Sequence, residues 1–181
     1  MSLAKANLAG FPLFFLLMSG AVLPYILLGG FPAFVLGVRS FVDLRVFIPW
    51  IIVGTLAHEA MHGLGWTAAG AGAFGSVKFG FHWKTLTPYA HFTEPMTAKA
   101  YRIGIVLPGI VVGLCPALAG YAMSNPPLVL FGGIFTGGAA GDLMGLWATR
   151  KIPPGTLVLD HPSRVGCIIF SGESLTQKTQ Q

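Results

Sequence analysis

The H-E-x-x-H motif at residues 58–62 lies inside an apolar run, residues 46–69, and it limits what this chain can be. On a helix, His58 and His62 lie one turn apart on the same face, which is the arrangement that two zinc ligands need. Glu59 lies beside them, where it can take a proton from a metal-bound water. The motif therefore predicts a zinc site with Glu59 as its general base.

The composition of the chain predicts a membrane protein. Charged residues make up 9% and hydrophobic residues 54% of the 181 residues, whereas a typical soluble domain is roughly 25% charged. A chain this apolar cannot cover a surface that faces water, so its main partner is the lipid bilayer. This argues against the alternative that residues 58–62 are polar groups satisfied inside a soluble core. The Lys and Arg residues are spread between apolar runs and form no single basic patch, so no nucleic acid is expected as a partner.

Four apolar runs predict a mainly α, polytopic membrane protein with about four transmembrane helices in one domain, residues 1–181. The first run is longer than the 7–15-residue core of a signal peptide, which favours a retained helix. The prolines predict a bend at Pro24 and kinks at Pro108 and Pro116. The predicted spans have the approximate bounds 11–38, 46–70, 103–123 and 128–148.

The segments between and after the spans predict a small β structure. Residues 71–102 are turn-rich, and residues 76–84 and 87–92 have the pattern of a β-hairpin. Because irregular backbone is not tolerated against lipid, this segment is expected at the membrane interface. The polar tail, residues 149–181, is expected in the cytoplasm, with a strand at residues 157–159 and a partly disordered end.

The fourth predicted span carries a glycine at every fourth position, which is the spacing of one helix face. Small residues in such a stripe let another helix approach closely. The stripe is therefore interpreted as a packing surface that consists of Gly133, Gly137, Gly141 and Gly145.

The distribution of charge predicts the orientation in the membrane. Nine of the eleven Lys and Arg residues fall in the N-terminus, the segment 71–102 and the tail, and the opposite side holds Arg39 and Arg45. Because positively charged segments stay inside, both termini are expected in the cytoplasm of a protein of the cell membrane.

Asp142 is the predicted third metal ligand. His58, Glu59, His62 and Asp142 supply two imidazoles, one carboxylate ligand and one free carboxylate base. In an antiparallel arrangement the second and fourth spans run in the same direction. His62 and Asp142 then both lie roughly 10–12 Å from the same membrane face, at a rise of 1.5 Å per residue.

Other side chains compete with Asp142 for the place of third ligand. They are His82, His91, Glu94, Asp160 and His161, and each is interpreted as a solvated or interfacial polar residue. His91 comes next after Asp142. Alternatively, His91 or Tyr89 contacts the substrate or donates a hydrogen bond to the oxyanion of a hydrolytic reaction.

The chain resembles the small membrane zincin peptidases that are related to the site-2 protease clan of intramembrane metalloproteases. The resemblance implies a polytopic metallopeptidase in which His58, His62 and Asp142 bind one zinc ion and Glu59 is the general base. The Asn-x-x-Pro-Asp-Gly motif that site-2 proteases carry around their Asp ligand lacks its Asn and Pro here, so no role of that Asn is carried over. The segments that carry the resemblance are residues 58–62, 77–81, 88–91, 94–95, 107–108, 141–142 and 160–162.

Three functions are compatible with these residues. The leading hypothesis is zinc-dependent hydrolysis of a peptide or transmembrane-helix substrate in or near the membrane. The second is a non-catalytic membrane protein with a structural zinc, for which His91 or another side chain would close the fourth position. The third is a proton or ion transporter that uses Asp142 and the histidines as a relay. His and carboxylate ligands also accept other first-row metals, and no oligomeric state is predicted.

Overall fold

The computed structural model describes residues 3–83, 87–161 and 165–170. The fold is mainly helical with two small antiparallel sheets, which confirms the predicted fold class. Because the end of the tail, residues 171–181, lies outside the described residues, its predicted disorder stays a prediction. Four helical segments are long and apolar enough to cross a membrane, and their bounds are Leu8–Gly29, Leu44–Ala68, Ala98–Ala122 and Pro126–Thr149.

The first apolar run forms two helices, α1 (Leu3–Gly29) and α2 (Phe31–Val38), and not one. Helix α1 continues through Pro24, where the predicted bend stays a prediction, and the helix break lies at Gly30. Gly30 has a φ of 87°, a conformation that glycine adopts without steric cost. A proline then stands in the first turn of α2, where its missing N–H would be unpaired in any case.

Helix α3 (Leu44–Ala68) carries the H-E-x-x-H motif and agrees with the predicted span within two residues. Asp43 is the N-cap of this helix, and its side chain accepts a hydrogen bond from the backbone N–H of Arg45 at 2.9 Å. One stripe of α3 is buried at every fourth residue: Gly54, His58, His62 and Trp66. Much of the remaining surface exposes large apolar side chains, as expected of a helix that faces lipid.

The third span consists of α4 (Ala98–Pro108), a π-helical segment (Gly109–Leu114) and α5 (Cys115–Ala122). It begins five residues before the predicted start at residue 103, because Thr97 caps α4 by accepting a hydrogen bond from the backbone N–H of Ala100. The π-helical segment lies between Pro108 and Pro116, the two residues at which kinks were predicted. Proline has no backbone N–H to donate, so it interrupts the hydrogen bonds of an α-helix and favours such local departures from it.

The fourth span is interrupted at Ala139, which separates α6 (Pro126–Gly138) from α7 (Ala140–Thr149). The sequence predicted one continuous helix over residues 128–148, so this interruption is a correction. Its consequence is that Asp142 lies in the first turn of a new helix. Because α7 begins after the interruption, its direction is not fixed by α6 alone. The interruption therefore contributes to the position of Asp142.

The predicted glycine stripe packs against α1 over half of its length. A Cβ atom at Gly133 would overlap Val22, and a Cβ atom at Gly137 would overlap the backbone of Phe14. Gly141 has nothing within contact distance of such an atom. The close helix contact is therefore confirmed for the part of the stripe on α6, and it holds α1 beside α7.

The strands form two sheets on one end of the helices. Strands β1 (Val77–His82) and β2 (Thr87–Phe92) form the predicted hairpin. Strands β3 (Met96–Thr97), β4 (Leu157–Asp160) and β5 (Cys167–Ile169) form a second sheet with β4 in the middle. The predicted strand at residues 157–159 is thus confirmed, and the chain after α7 folds back onto the helices.

The two sheets and the helices share one core, which we call the junction core. Its large buried side chains come from α3, both sheets and α4, and they are Trp66, Val77, Phe92, Met96, Tyr101, Ile105 and Val158. Phe92 and Val158 are fully buried. Because the junction core joins elements that are far apart in the chain, it fixes the strands relative to the helix that carries the motif.

Candidate metal centre

Two histidines of α3 and one aspartate of α7 meet in a group that we call the ligand cluster. Nε2 of His58 lies 3.1 Å from Oδ2 of Asp142, and Nε2 of His62 lies 3.4 Å from Oδ1 of the same carboxylate. One ligand atom from each residue lies within 4.8 Å of the others. The predicted third ligand therefore lies beside the motif histidines, and the agreement in depth inferred for His62 and Asp142 holds.

The backbone of α4 determines which nitrogen of His62 faces the cluster. Nδ1 of His62 lies 2.9 Å from the carbonyl oxygen of Gly104, and because a carbonyl only accepts, Nδ1 carries the proton. The lone pair is then on Nε2, which is the atom directed at Asp142. Trp66 stacks on the His62 ring at 5.5 Å between ring centroids and so fixes its plane.

The ligand cluster fits a small divalent metal. Two ligand atoms on a tetrahedral zinc are separated by about 3.3 Å, given metal–ligand bonds of 2.0–2.1 Å, and the two His–Asp separations bracket this value. Oδ2 of Asp142 is buried and has no hydrogen-bond partner in the described part of the chain, although a histidine nitrogen is close. Three ligand atoms within 4.8 Å of one another and a buried oxygen without a donor are features of a metal site.

The fourth ligand position distinguishes a catalytic from a structural metal. Among residues 3–83, 87–161 and 165–170, the group that could hold a metal consists of His58, His62 and Asp142. His91, the predicted runner-up, does not join it. Three protein ligands leave a coordination position for water or substrate, whereas a structural zinc is closed by four.

Glu59 lies next to the first ligand and faces the same cavity. Ala90 of β2 lines this cavity too, and α3 packs against β2. The hairpin therefore lies on the same side of α3 as the predicted general base.

The ligand cluster and Glu59 open into a cavity of about 530 Å³. Helix α1 contributes Phe11 and Phe14 to its wall, and β2 contributes Tyr89 and His91. The chain around β4 and β5 closes another side with Asp160, His161, Val165 and Gly166. The cavity is large enough for several residues of an extended peptide.

His91 and Asp160 form a second polar group in this cavity, which we call the His–Asp pair. Nδ1 of His91 lies 2.9 Å from Oδ2 of Asp160, and both side chains are mostly buried, with 17% and 14% of their surface exposed. Tyr101 of α4 is buried and lines the same cavity. Burial and, after it, the Asp160 carboxylate raise the pKa of the neighbouring Cys167 thiol. His91 and Asp160 are therefore partly buried and paired with each other, and their predicted position at the membrane interface stays a prediction.

The remaining rivals have other places in the structure. His82 stacks on Tyr89 at 4.5 Å between ring centroids, and both line the cavity, as does His161. Glu94 is exposed and accepts a hydrogen bond from the Ser76 hydroxyl at 2.6 Å. The predicted substrate or oxyanion contacts of Tyr89 and His91 stay predictions, although both residues line the cavity.

Three residues at the site were not found from the sequence. Gly104 and Trp66 orient His62, and Tyr101 lines the same cavity. Asp160 was considered only as a metal ligand, and its contact with His91 was not predicted. Trp66 had a signal, because it continues the buried i+4 stripe of the motif. The others lie on segments that only the tertiary fold brings to the site.

Comparison with known proteins gives one match. A family model described as "Putative zincin peptidase" matches residues 51–157, which is more than half of the chain and includes the positions of the ligand cluster and Glu59. Neither a curated protein nor a solved structure matches the chain.

Proposed function

Because the chain belongs to this zincin peptidase family, we propose that it is a zinc-dependent metallopeptidase that hydrolyses peptide bonds in or near the membrane. The observation that carries the proposal is the ligand cluster, with Glu59 beside it at the end of a cavity. The site-2 protease relationship is part of the proposal, and it is supported by the position of a zincin motif inside an apolar helix.

The proposed roles follow from the chemistry of each side chain. His58, His62 and Asp142 would hold one zinc ion, which lowers the pKa of a water molecule and polarises a carbonyl oxygen when it is bound. The Glu59 carboxylate takes a proton from the attacking water as the new C–O bond forms. The same group then returns this proton to the amine as the C–N bond breaks.

A catalytic metal is favoured over a structural one by the number of ligands. In the described part of the chain the cluster contains three ligand residues, and the cavity adjoins it. A structural zinc would need a fourth protein ligand, and the predicted candidate, His91, is instead hydrogen-bonded to Asp160.

The edge of β2 supports an extended peptide as the substrate. The backbone N–H of Thr93 donates to the carbonyl of Ser76, so in this antiparallel ladder the backbone groups of Pro88 and Ala90 point away from β1. Pro88, Tyr89 and Ala90 line the cavity that contains Glu59 and the ligand cluster. An unwound stretch of a transmembrane helix would add to this edge, and Tyr89 would contact its side chains.

The apolar surface supports a location in the membrane. In the first two spans only 6% of the most apolar window is buried inside the protein, so the large side chains on α1 and α3 need lipid around them. The excess of Lys and Arg supports cytoplasmic termini and a zinc site in the cytoplasmic half of a cell membrane.

The test uses purified protein in detergent with a transmembrane-helix peptide that carries a fluorophore and a quencher on opposite sides of its apolar segment. Glu59→Gln is expected to lower the cleavage rate about 100- to 10,000-fold, because an amide cannot accept the proton of the attacking water. Zinc content should stay at the wild-type value, since Glu59 is not in the ligand cluster.

Glu94→Gln is the matched control, because Glu94 is exposed and does not line the cavity. It should cleave the peptide at the wild-type rate. Equal cleavage by Glu59→Gln and wild type would contradict the proposed mechanism. A wild-type protein that binds zinc and leaves the peptide intact would favour the structural alternative.

A further inference from the structure

The His–Asp pair is not used by the mechanism above, although it lies in the same cavity. Its residues come from β2 and β4, which are far apart in the chain, and both are mostly buried. A buried carboxylate needs a compensating partner, and here it has the His91 imidazole. The carboxylate on β4 is thus held by a side chain from the other sheet.

The hydrogen bond to Asp160 determines the protonation pattern of His91. An ionised carboxylate only accepts hydrogen bonds, so Nδ1 of His91 carries the proton. Nε2 is then the ring nitrogen that is left for a ligand in the cavity. When Nε2 also carries a proton, it donates a hydrogen bond to that ligand.

The position of His91 is suited to a group that acts on the substrate. It lines the cavity that contains both Glu59 and the ligand cluster. Because His91 lies outside the ligand cluster, its ring is not required for metal binding. Asp160 is fixed in turn by the sheet, since Val158 of the same strand is fully buried in the junction core.

We propose that His91 is a further catalytic residue of the peptidase and that Asp160 is its positioning residue. His91 donates a hydrogen bond through Nε2 to the substrate carbonyl oxygen as this oxygen gains negative charge. The donor is the imidazolium, Asp160 balances its charge, and no proton needs to leave the pair in this step. This inference rests on the proposed function, and it makes the chain after α7 part of the active site.

A spectroscopic measurement tests the pair without any cleavage assay. In metal-free protein labelled with ¹⁵N-histidine, NMR should show a hydrogen-bonded proton on Nδ1 of His91, assigned by its loss in His91→Ala. Asp160→Asn should remove or shift this signal, and Asp160→Glu should retain it. A wild-type His91 without a proton on Nδ1 would overturn the inference.

A kinetic cycle with the fluorogenic transmembrane-helix peptide tests the role. His91→Ala should lower kcat about 100- to 1000-fold with little change in KM, which is typical of the loss of an oxyanion donor. Asp160→Asn should lower kcat about 10- to 100-fold, and Asp160→Glu should restore part of it. In the His91→Ala background, Asp160→Asn should cause no further loss, because Asp160 acts through His91.

The outcomes separate the two proposals. If Glu59→Gln is inactive and His91→Ala keeps the wild-type kcat, the inference is wrong and the proposed function stands. If Asp160→Asn lowers kcat equally with and without His91, Asp160 has a structural role and the positioning part is wrong. If the wild-type activity does not depend on Glu59, the proposed function is contradicted and this inference with it.

Discussion

The ligand cluster and the His–Asp pair share one cavity but are built in different ways. Two of the three cluster residues lie four positions apart on one helix, and the third follows in the last transmembrane span. The pair joins residues 69 positions apart through two strands of different sheets. Helices fix the cluster, whereas short strands and the junction core fix the pair.

In the proposed mechanism, this difference separates metal binding from stabilisation of the oxyanion. Metal affinity depends on the ligand atoms and their hydrogen-bond partners, which are His58, His62, Asp142 and the carbonyl of Gly104. The His–Asp pair touches none of the ligand atoms in the contacts that the structure describes. We therefore expect changes in the helices to affect metal content, and changes in the strands to affect turnover alone.

The largest expected effect is the loss of zinc from Asp142→Ala. Removing one of three protein ligands should lower the affinity by more than the roughly 10- to 100-fold that changes around the ligands cost. Zinc per chain, measured in protein purified in detergent, should fall sharply. The comparison variant is Asp160→Asn, which should keep wild-type zinc because it lies outside the cluster.

Two results would contradict the expected separation of metal binding from turnover. Unchanged zinc in Asp142→Ala would remove Asp142 from the site. A loss of zinc in Asp160→Asn, with the fold intact, would mean that the pair supports metal binding and that the two groups are one network.

The ligand cluster and the His–Asp pair also differ in how far they could be predicted from the sequence. The motif histidines and Glu59 were predictable because helical spacing is local, and Asp142 because an ionisable residue in an apolar run is rare. The four spans and the hairpin followed from hydropathy and alternation. The contact of His91 with Asp160 was not predictable, since it depends on how the chain after α7 folds back.

The details of the helices were less predictable than their number. The helix break at Gly30 needs a positive φ. The apolar run contains several glycines and prolines, so its sequence does not show at which of them the helix breaks. The interruption at Ala139 has no proline to mark it, yet it places Asp142 in a first turn. Local composition predicts that a helix is present, whereas packing decides where it is interrupted.

A smaller effect on zinc is expected from Gly104→Ala. The added Cβ would overlap the Trp66 ring and displace the carbonyl that orients His62. Zinc affinity should fall about 10- to 100-fold, as for other partners of metal-bound histidines. A competition titration with a chelator measures this change.

Gly20→Ala is the matched control for that variant, because Gly20 is also inside a helix and has open space around it. Its zinc affinity should equal that of the wild type. If Gly104→Ala keeps the wild-type zinc affinity, the backbone of α4 does not orient His62. The expectation that changes in this helix affect metal affinity would then be wrong.

The smallest effect should come from Val158→Ala, which loosens β4 without touching either polar group. Val158 is fully buried in the junction core, so the loss of two methyl groups should destabilise the protein by about 1–3 kcal/mol. Because β4 carries Asp160, kcat should fall a few fold while zinc content stays constant. Leu157→Ala, at a neighbouring position that is 37% exposed, should change kcat less. Equal kcat values in both variants would show that the strand tolerates movement and that the hydrogen bond from His91 is sufficient to hold Asp160.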